Sequence, residues 1–371
     1  MPDRLREQVV RSNGGRHGRF TDGPEGPNTE FTKSVAKCSD IVGSGDNAPF
    51  RVDHFESSGG VIDKAYTGYF SSWFENYTCD YVQGLYYGIE HLGLDTMGTV
   101  EAATKGAART NPSRPSVDLP SEIAQLHELP DIIRQAGENE LGRVGGANLG
   151  YQFGVAPIIS DVNVLLDVQR LIAIRAQELD RAYRAGGIKR TVVVDAGSHT
   201  ESINTFLQTD GLFIREPVNW FTGEVVKVHA RWTSDGSYDY SRLGQDDRAY
   251  ALYQQARRAV TGGIIDGATA WELIPWSWLV DYFGTAGEYF KAQRNIVGMV
   301  LSDVAVMRHT VTKVTCSGPS NPGDYSFSSF AARLETKTRK TSFVAPTLSS
   351  ESFLNSNQVG ILASLAATRY T

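Results

Sequence analysis

The chain has 371 residues, of which 41% are apolar and 21% charged, and its formal net charge is −6. That length fits one large domain or two ordinary ones, and the acidic balance argues against a protein that coats nucleic acid by diffuse attraction, while leaving room for a local basic face. Three cysteines (Cys38, Cys79, Cys316) lie far apart without a CxxC pair, so neither a disulfide framework nor a zinc site is indicated.

Residues 1–20 carry five arginines against two acids and lack an apolar core, so no cleavable signal peptide is expected. No stretch reaches the roughly 20 apolar residues of a membrane helix. Residues 1–60 are rich in Gly, Ser, Asp and Pro and read as loops with short strands. Residues 61–90 are strongly aromatic with interleaved polar positions, which predicts strands or a hairpin. Residues 106–120 hold three prolines and read as a linker.

Helical patterns follow. Ser121 and Glu122 open one with Ile123, Leu126 and Ile133, which Pro130 must kink or end. The clearest spans 157–185: Pro157 suits a first turn, and Ile158, Val162, Leu165, Ile172, Leu179 and Tyr183 form one stripe. Gly186 and Gly187 close it. A second helix is predicted over 246–261. Asp246 and Asp247 sit at its start, where capping and the helix dipole explain them better than a metal does. A short helix is expected near the C-terminus.

Between the helices the period changes to two. Val226, Val228, Ala230 and Trp232 alternate with Val225, Lys227, His229 and Arg231, and similar alternation runs through Thr191–Thr200, Val304–Thr315 and on to about residue 345. Such strands suit an antiparallel sheet with one polar face. The expected fold class is α+β. A β-rich part comes from 1–115, 188–239 and 297–349, and a helical bundle from 116–187, 240–296 and 350–371.

Enzyme signatures are missing. There is no phosphate-binding GxxxxGK[ST] loop, no GxSxG elbow and no HExxH pair, and the seven histidines have no ligand spacing. No catalytic residue, metal or cofactor is assigned, and the chain is not expected to be an enzyme.

The densest aromatic stretch is Trp271–Phe283, with Trp271, Glu272, Pro275, Trp276, Trp278, Asp281, Tyr282 and Phe283. Pro275 suits a helix start, with Trp271–Ile274 extended or in a preceding turn. On a helix these residues are apolar on most faces, which is the pattern of a central core helix rather than of a base-stacking surface. A half-buried Asp281 then needs a partner, and an arginine from a neighbouring helix is the economical one. Cations that could meet nucleic acid lie on the helices: Arg170, Arg175, Arg181 and Arg184 on the first, Arg248, Arg257 and Arg258 on the second, with Lys291 and Arg294 after the aromatic run. Solvated helix faces usually carry such charges too.

The run W-E-L-I-P-W-S-W-L-V-D-Y-F at Trp271–Phe283 resembles the most recognisable motif of the maturation proteins (A proteins) of single-stranded RNA bacteriophages. Leu149–Val162 is similar to a second family pattern through Phe153, Gly154, Pro157 and Asp161, with Val155 in place of a common tryptophan. Leu354–Leu365 is a weaker third match. The matches cover the helical half; the sheet-rich half carries none. The resemblance implies a monomeric structural virion protein, present as a single copy that occupies one position in the capsid among coat proteins. It implies binding to structured genomic RNA hairpins, notably near the 3′ end, and attachment to a bacterial pilus for RNA entry. It also implies an elongated fold, with the helical part toward RNA and capsid and a bent sheet toward the receptor. In that setting the helix cations become RNA-contact candidates, and residues 20–90 and 310–345 become candidates for pilus contact. An attachment or fibre-type protein without direct RNA binding is the alternative, and the acidic charge and the β-rich half motivate it.

Overall fold

The computed structural model describes residues 3–11, 32–42, 47–59, 62–67, 72–75, 89–94, 97–116, 168–208, 214–262, 266–272, 274, 281, 284–318 and 325–348. The fold is α+β. Ten strands are described: β1 (Asp3–Arg11), β2 (Thr32–Ile41), β3 (Phe50–Gly59), β4 (Ile62–Thr67), β5 (Ser72–Glu75), β6 (Ile188–Gln208), β7 (Ile214–Ser234), β8 (Met299–Cys316), β9 (Tyr325–Phe327) and β10 (Phe330–Thr341). The five described helices are α1 (Thr99–Thr110), α2 (Val168–Arg184), α3 (Gln245–Thr261), α4 (Gly267–Glu272) and α5 (Ala286–Gln293). Among the described residues the molecule is mostly sheet, and the helices do not form a clear bundle.

Seven strands make one sheet in the order β1-β2-β3-β10-β8-β7-β6, and β5-β4-β9 make a smaller one. β10 enters between β3 and β8, antiparallel to both, and so joins the early meander to the late strands. Alternation fixes the faces. On β7, Val218, Trp220, Thr222, Val226, Val228, Ala230 and Trp232 are buried, while Asn219, Phe221, Lys227 and Arg231 are exposed.

The chain divides into two compact units. The first comprises Met1–Thr96, Val193–Lys227 and Ala305–Thr341; the second comprises Met97–Val192, Val228–Val304 and Ser342–Thr371. Three of the boundaries between them fall inside β6, β7 and β8.

The first unit has an unusually polar interior. Glu216, Thr222, Glu224, Thr310 and Thr312 are buried beside Val35, Phe55, Val218, Trp220 and Val314. Hydrogen bonds compensate the desolvation. Glu224 accepts from Arg308 at 2.9 Å and from Thr310 at 2.8 Å. Thr336 donates to Asp53 at 2.9 Å and lies 2.8 Å from His91 Nε2, while Thr312 lies 2.8 Å from His91 Nδ1 and 3.0 Å from Thr222.

The second unit has an apolar core, with Ile172, Leu179, Trp232, Leu252, Ala256, Val260, Ile296 and Met299 at its centre. Here the structure corrects the expected linker at 106–120 over its described residues: α1 is a helix within the otherwise β-rich 1–115, and most of its residues are buried. Its alanines and threonines give no stripe of large apolar residues, so it escapes a periodicity search, yet small side chains are what let it pack closely. A Cβ on Gly106 would stand 2.3 Å from Val228 Cβ. The following turn is a junction. Asn111 Nδ2 donates to the carbonyls of Lys291, Ala292 and Arg294 at 3.0, 3.2 and 2.8 Å, satisfying the end of α5. Ser113 Oγ accepts the amides of Ile296 and Val297.

The helix predicted over 157–185 is helical from Val168 to Arg184, and its closure is seen in the Gly187 amide on the Ala182 carbonyl at 2.8 Å. Its expected start at Pro157, the 121–133 helix and the C-terminal helix lie outside the described residues.

Candidate nucleic-acid interface

Two helices of the second unit carry most of the predicted RNA-contact cations. On α2, Ile172, Leu179 and Ala182 are buried. At 3.6 residues per turn, Arg170, Arg181 and Arg184 fall within about 60° of one another on the opposite side, and all three are exposed. On α3, Leu252, Ala256 and Ala259 face the core, and Arg257 and Arg258 are exposed. Asp180 joins the two helices: it receives Arg184 Nε and Arg248 Nε, each at 2.8 Å. Burial works to raise the Asp180 pKa, but the hydrogen bonds from Arg184 and Arg248 outweigh it and hold the group below the usual carboxylate range.

The candidates therefore separate by environment. Arg170, Arg181, Arg257 and Arg258 are exposed and have no ion-pair partner among the described residues. Arg184 is exposed but shares Asp180, and Arg248 is largely covered. Arg175 is turned inward: it donates to the carbonyls of Pro112 and Arg114 at 3.1 and 3.4 Å and to Glu178 at 3.3 Å, and burial pulls its pKa down. Arg190 likewise donates to the Thr110 carbonyl at 2.8 Å and pairs with Glu178. The acids Glu178 and Asp180 are thus engaged by inward or shared arginines, which leaves the outer α2 face cationic.

Lys291 on α5 pairs with Glu272 at 3.0 Å. Arg294 is buried, with its side chain 3% exposed, and pairs with Asp266 at 2.6 Å while also donating to Thr269. Arg175 and Arg294 are therefore structural, a distinction that helix position alone does not give.

The aromatic run decides one expectation and corrects another. Of the two alternatives for Trp271–Ile274 the turn holds and the extended segment does not: Trp271 and Glu272 end the helix α4, and the Ile274 amide donates to the Trp271 carbonyl at 3.1 Å. Asp266 Oδ1 accepts the amides of Ala268 and Thr269 at 3.1 and 3.0 Å, the pattern of an N-terminal cap. Asp281 is not held by an arginine among the described residues. It accepts the Trp271 indole N–H at 3.1 Å and the Gly287 amide at 2.8 Å, at the start of α5. The arginine nearest in sequence, Arg294, is already committed to Asp266. Pro275, Trp276, Trp278, Tyr282 and Phe283, with the helix expected to start at Pro275, lie outside the described residues.

Asp246 and Asp247 occupy the first turn of α3 without a side-chain cap bond, and Gly244 is the N-cap. Their carboxylates favour the helix through its dipole rather than as caps. Sequence reading missed Tyr250 and Tyr253, which stand on the exposed side of α3 at 68% and 39% exposure. Their three-residue spacing, with Tyr250 opposite Leu252 and Tyr253 bordering the buried side, is the signal that could have found them.

Among the described residues no group of three or more metal-ligating side chains comes together, and no helix is long and apolar enough to cross a membrane. No protein-family model matches the chain, and no curated protein matches it.

Proposed function

We propose that this protein is a phage virion maturation and attachment protein. It is a non-enzymatic structural component that binds structured hairpins of genomic single-stranded RNA, sits as a single copy among coat proteins, and attaches the particle to a bacterial pilus for RNA entry. It is made in the bacterial cytoplasm and resides in the virion. In this reading the helical segments of an elongated molecule meet RNA and capsid, and the sheet-rich, bent part meets the receptor.

The observation that carries the RNA part is the outer face of α2 and α3. Arg170, Arg181, Arg257 and Arg258 have no carboxylate partner among the described residues, on a chain whose net charge is −6. An acidic protein that keeps one cationic helix layer is suited to holding a few RNA elements by phosphate contact and shape. The resemblance of Trp271–Phe283 and Leu149–Val162 to the maturation-protein motifs supports the virion and pilus parts.

The test is to express the chain with the RNA that encodes it, cross-link with ultraviolet light, and sequence the attached fragments. Enrichment of a few structured segments near the 3′ end is expected, with linked peptides from α2 and α3. An even spread over cellular RNA, or no recovery, would overturn the RNA part. The attachment protein without direct RNA binding, which the acidic charge favours, would then replace it.

A further inference from the structure

Phosphate contact does not use the aromatic side chains of this face. On α3, Tyr250 projects away from Leu252, Ala256 and Ala259 at 68% exposure, and Tyr253 borders the buried face at 39% exposure. With 3.6 residues per turn, Tyr250, Tyr253 and Arg257 fall within about 60° of one another. At 1.5 Å rise per residue, roughly 4.5 Å along the axis separates the two tyrosines and roughly 6 Å separates Tyr253 from Arg257. Those intervals suit successive unstacked bases on an aromatic ladder. Burial gives Tyr250 little stabilisation at this exposure, and neither tyrosine has a ring partner among the described residues.

Charge along the helix sets a polarity. Asp246 and Asp247 are exposed one turn before Tyr250, and Arg257 and Arg258 are exposed about two turns after it. A phosphate backbone is repelled at the first end and held at the second, which leaves base faces for the tyrosines between. In an A-form duplex the base faces are stacked inside the helix and cannot meet these rings; in an unpaired segment they can.

We propose that Tyr250 and Tyr253 form a stacking platform for two or three unpaired nucleotides flanking the bound hairpin, with Arg257 and Arg258 on their phosphates. This rests on the RNA-binding reading above and names the part of the RNA that α3 takes.

The test uses the full chain and a hairpin from the 3′ region of its own RNA, with and without an unpaired 3′ tail of about six nucleotides. Affinity is measured over a series of salt concentrations. The tail is expected to tighten binding by the parent, and the double variant Tyr250→Ala/Tyr253→Ala to lose that gain, about tenfold or more, with an unchanged salt slope. Tyr250→Phe/Tyr253→Phe keeps the gain, because a phenyl ring stacks. Arg257→Ala makes the salt slope shallower by about one. Tail-enhanced binding that survives the alanine pair overturns the platform, and so does equal loss in the phenylalanine pair. If the parent binds neither RNA in a salt-dependent way, the RNA-binding reading itself fails and the platform falls with it.

Discussion

Asp281 receives the Trp271 indole N–H at 3.1 Å, so the two ends of the aromatic run are tied by a hydrogen bond from a tryptophan to an acid ten positions later. The same carboxylate takes the Gly287 amide at 2.8 Å and so supports the first turn of α5. Trp271→Phe keeps the ring and removes the donor. It is expected to cost about 1–3 kcal/mol, since a partly buried acceptor loses one of its partners. Gly287→Ala places a Cβ 2.5 Å from Asp281 Oδ2, and its cost is expected to shrink when Asp281 is already alanine. Denaturant midpoints at unchanged m, arranged as a double-mutant cycle, measure both effects.

His91 gives the first unit a pH dependence. Asp53 can only accept, so Thr336 donates to it and takes the His91 Nε2–H. The neutral ring's Nδ1 then accepts from Thr312, which in turn accepts from Thr222. Protonating Nδ1 breaks this order. Burial holds the His91 pKa below its ordinary value of 6.5, against the upward pull of Asp53 and Glu224, with Arg51 adding to the depression. The unfolded chain therefore takes up the proton first, and the stability contributed by neutral His91 is present above pH 6.5 and lost as pH falls through the lower folded value. His91→Gln offers an amide donor and a carbonyl acceptor without titrating. Its stability-versus-pH curve is expected to be flatter than the parent's between about pH 5 and 7; equal slopes would show that other groups control the dependence.

The pair Arg294–Asp266 lies inside the second unit and also holds Thr269. Arg294→Ala leaves a carboxylate beside a vacated site, and breaking a buried pair from one side costs about 3–5 kcal/mol. Arg294→Lys restores the charge but not the two-pronged geometry, so partial recovery is expected. Thermal unfolding of the three proteins checks the order parent, lysine, alanine. An alanine variant as stable as the parent would refute a structural role.

Period-two alternation made β7 and the later strands legible, and the 3.6-residue stripe found the buried side of α2. The class α+β follows from those signals alone. The insertion of β10 between β3 and β8 was not legible, because pairing of strands far apart in the chain leaves no local periodicity. Nor was α1, whose alanines and Gly106 pack by closeness rather than by bulk. At the candidate interface the sequence supplied exposed arginines together with structural ones: Arg175 and Arg181 sit six residues apart on one helix. Their opposite fates depend on carbonyls of Pro112 and Arg114 that only the folded chain brings to Arg175.

That contrast yields the last prediction. Arg181 is exposed with no ion-pair partner among the described residues, so Arg181→Ala is expected to leave stability within about 0.5 kcal/mol of the parent. If it touches a phosphate, the variant weakens RNA binding similarly across sequences and lowers the salt slope by about one. Arg175→Ala does the reverse. It takes the donor from the Pro112 carbonyl and leaves Glu178 with Arg190 as its remaining arginine, lowers the unfolding midpoint, and affects RNA only through the fraction of folded protein. Measuring stability and salt-dependent binding on both variants separates the roles, since a phosphate contact changes the slope at full folding and a scaffold residue changes the midpoint first. A shallower slope with Arg175→Ala, at a temperature where the variant is fully folded, would move Arg175 to the RNA face and reverse its assignment.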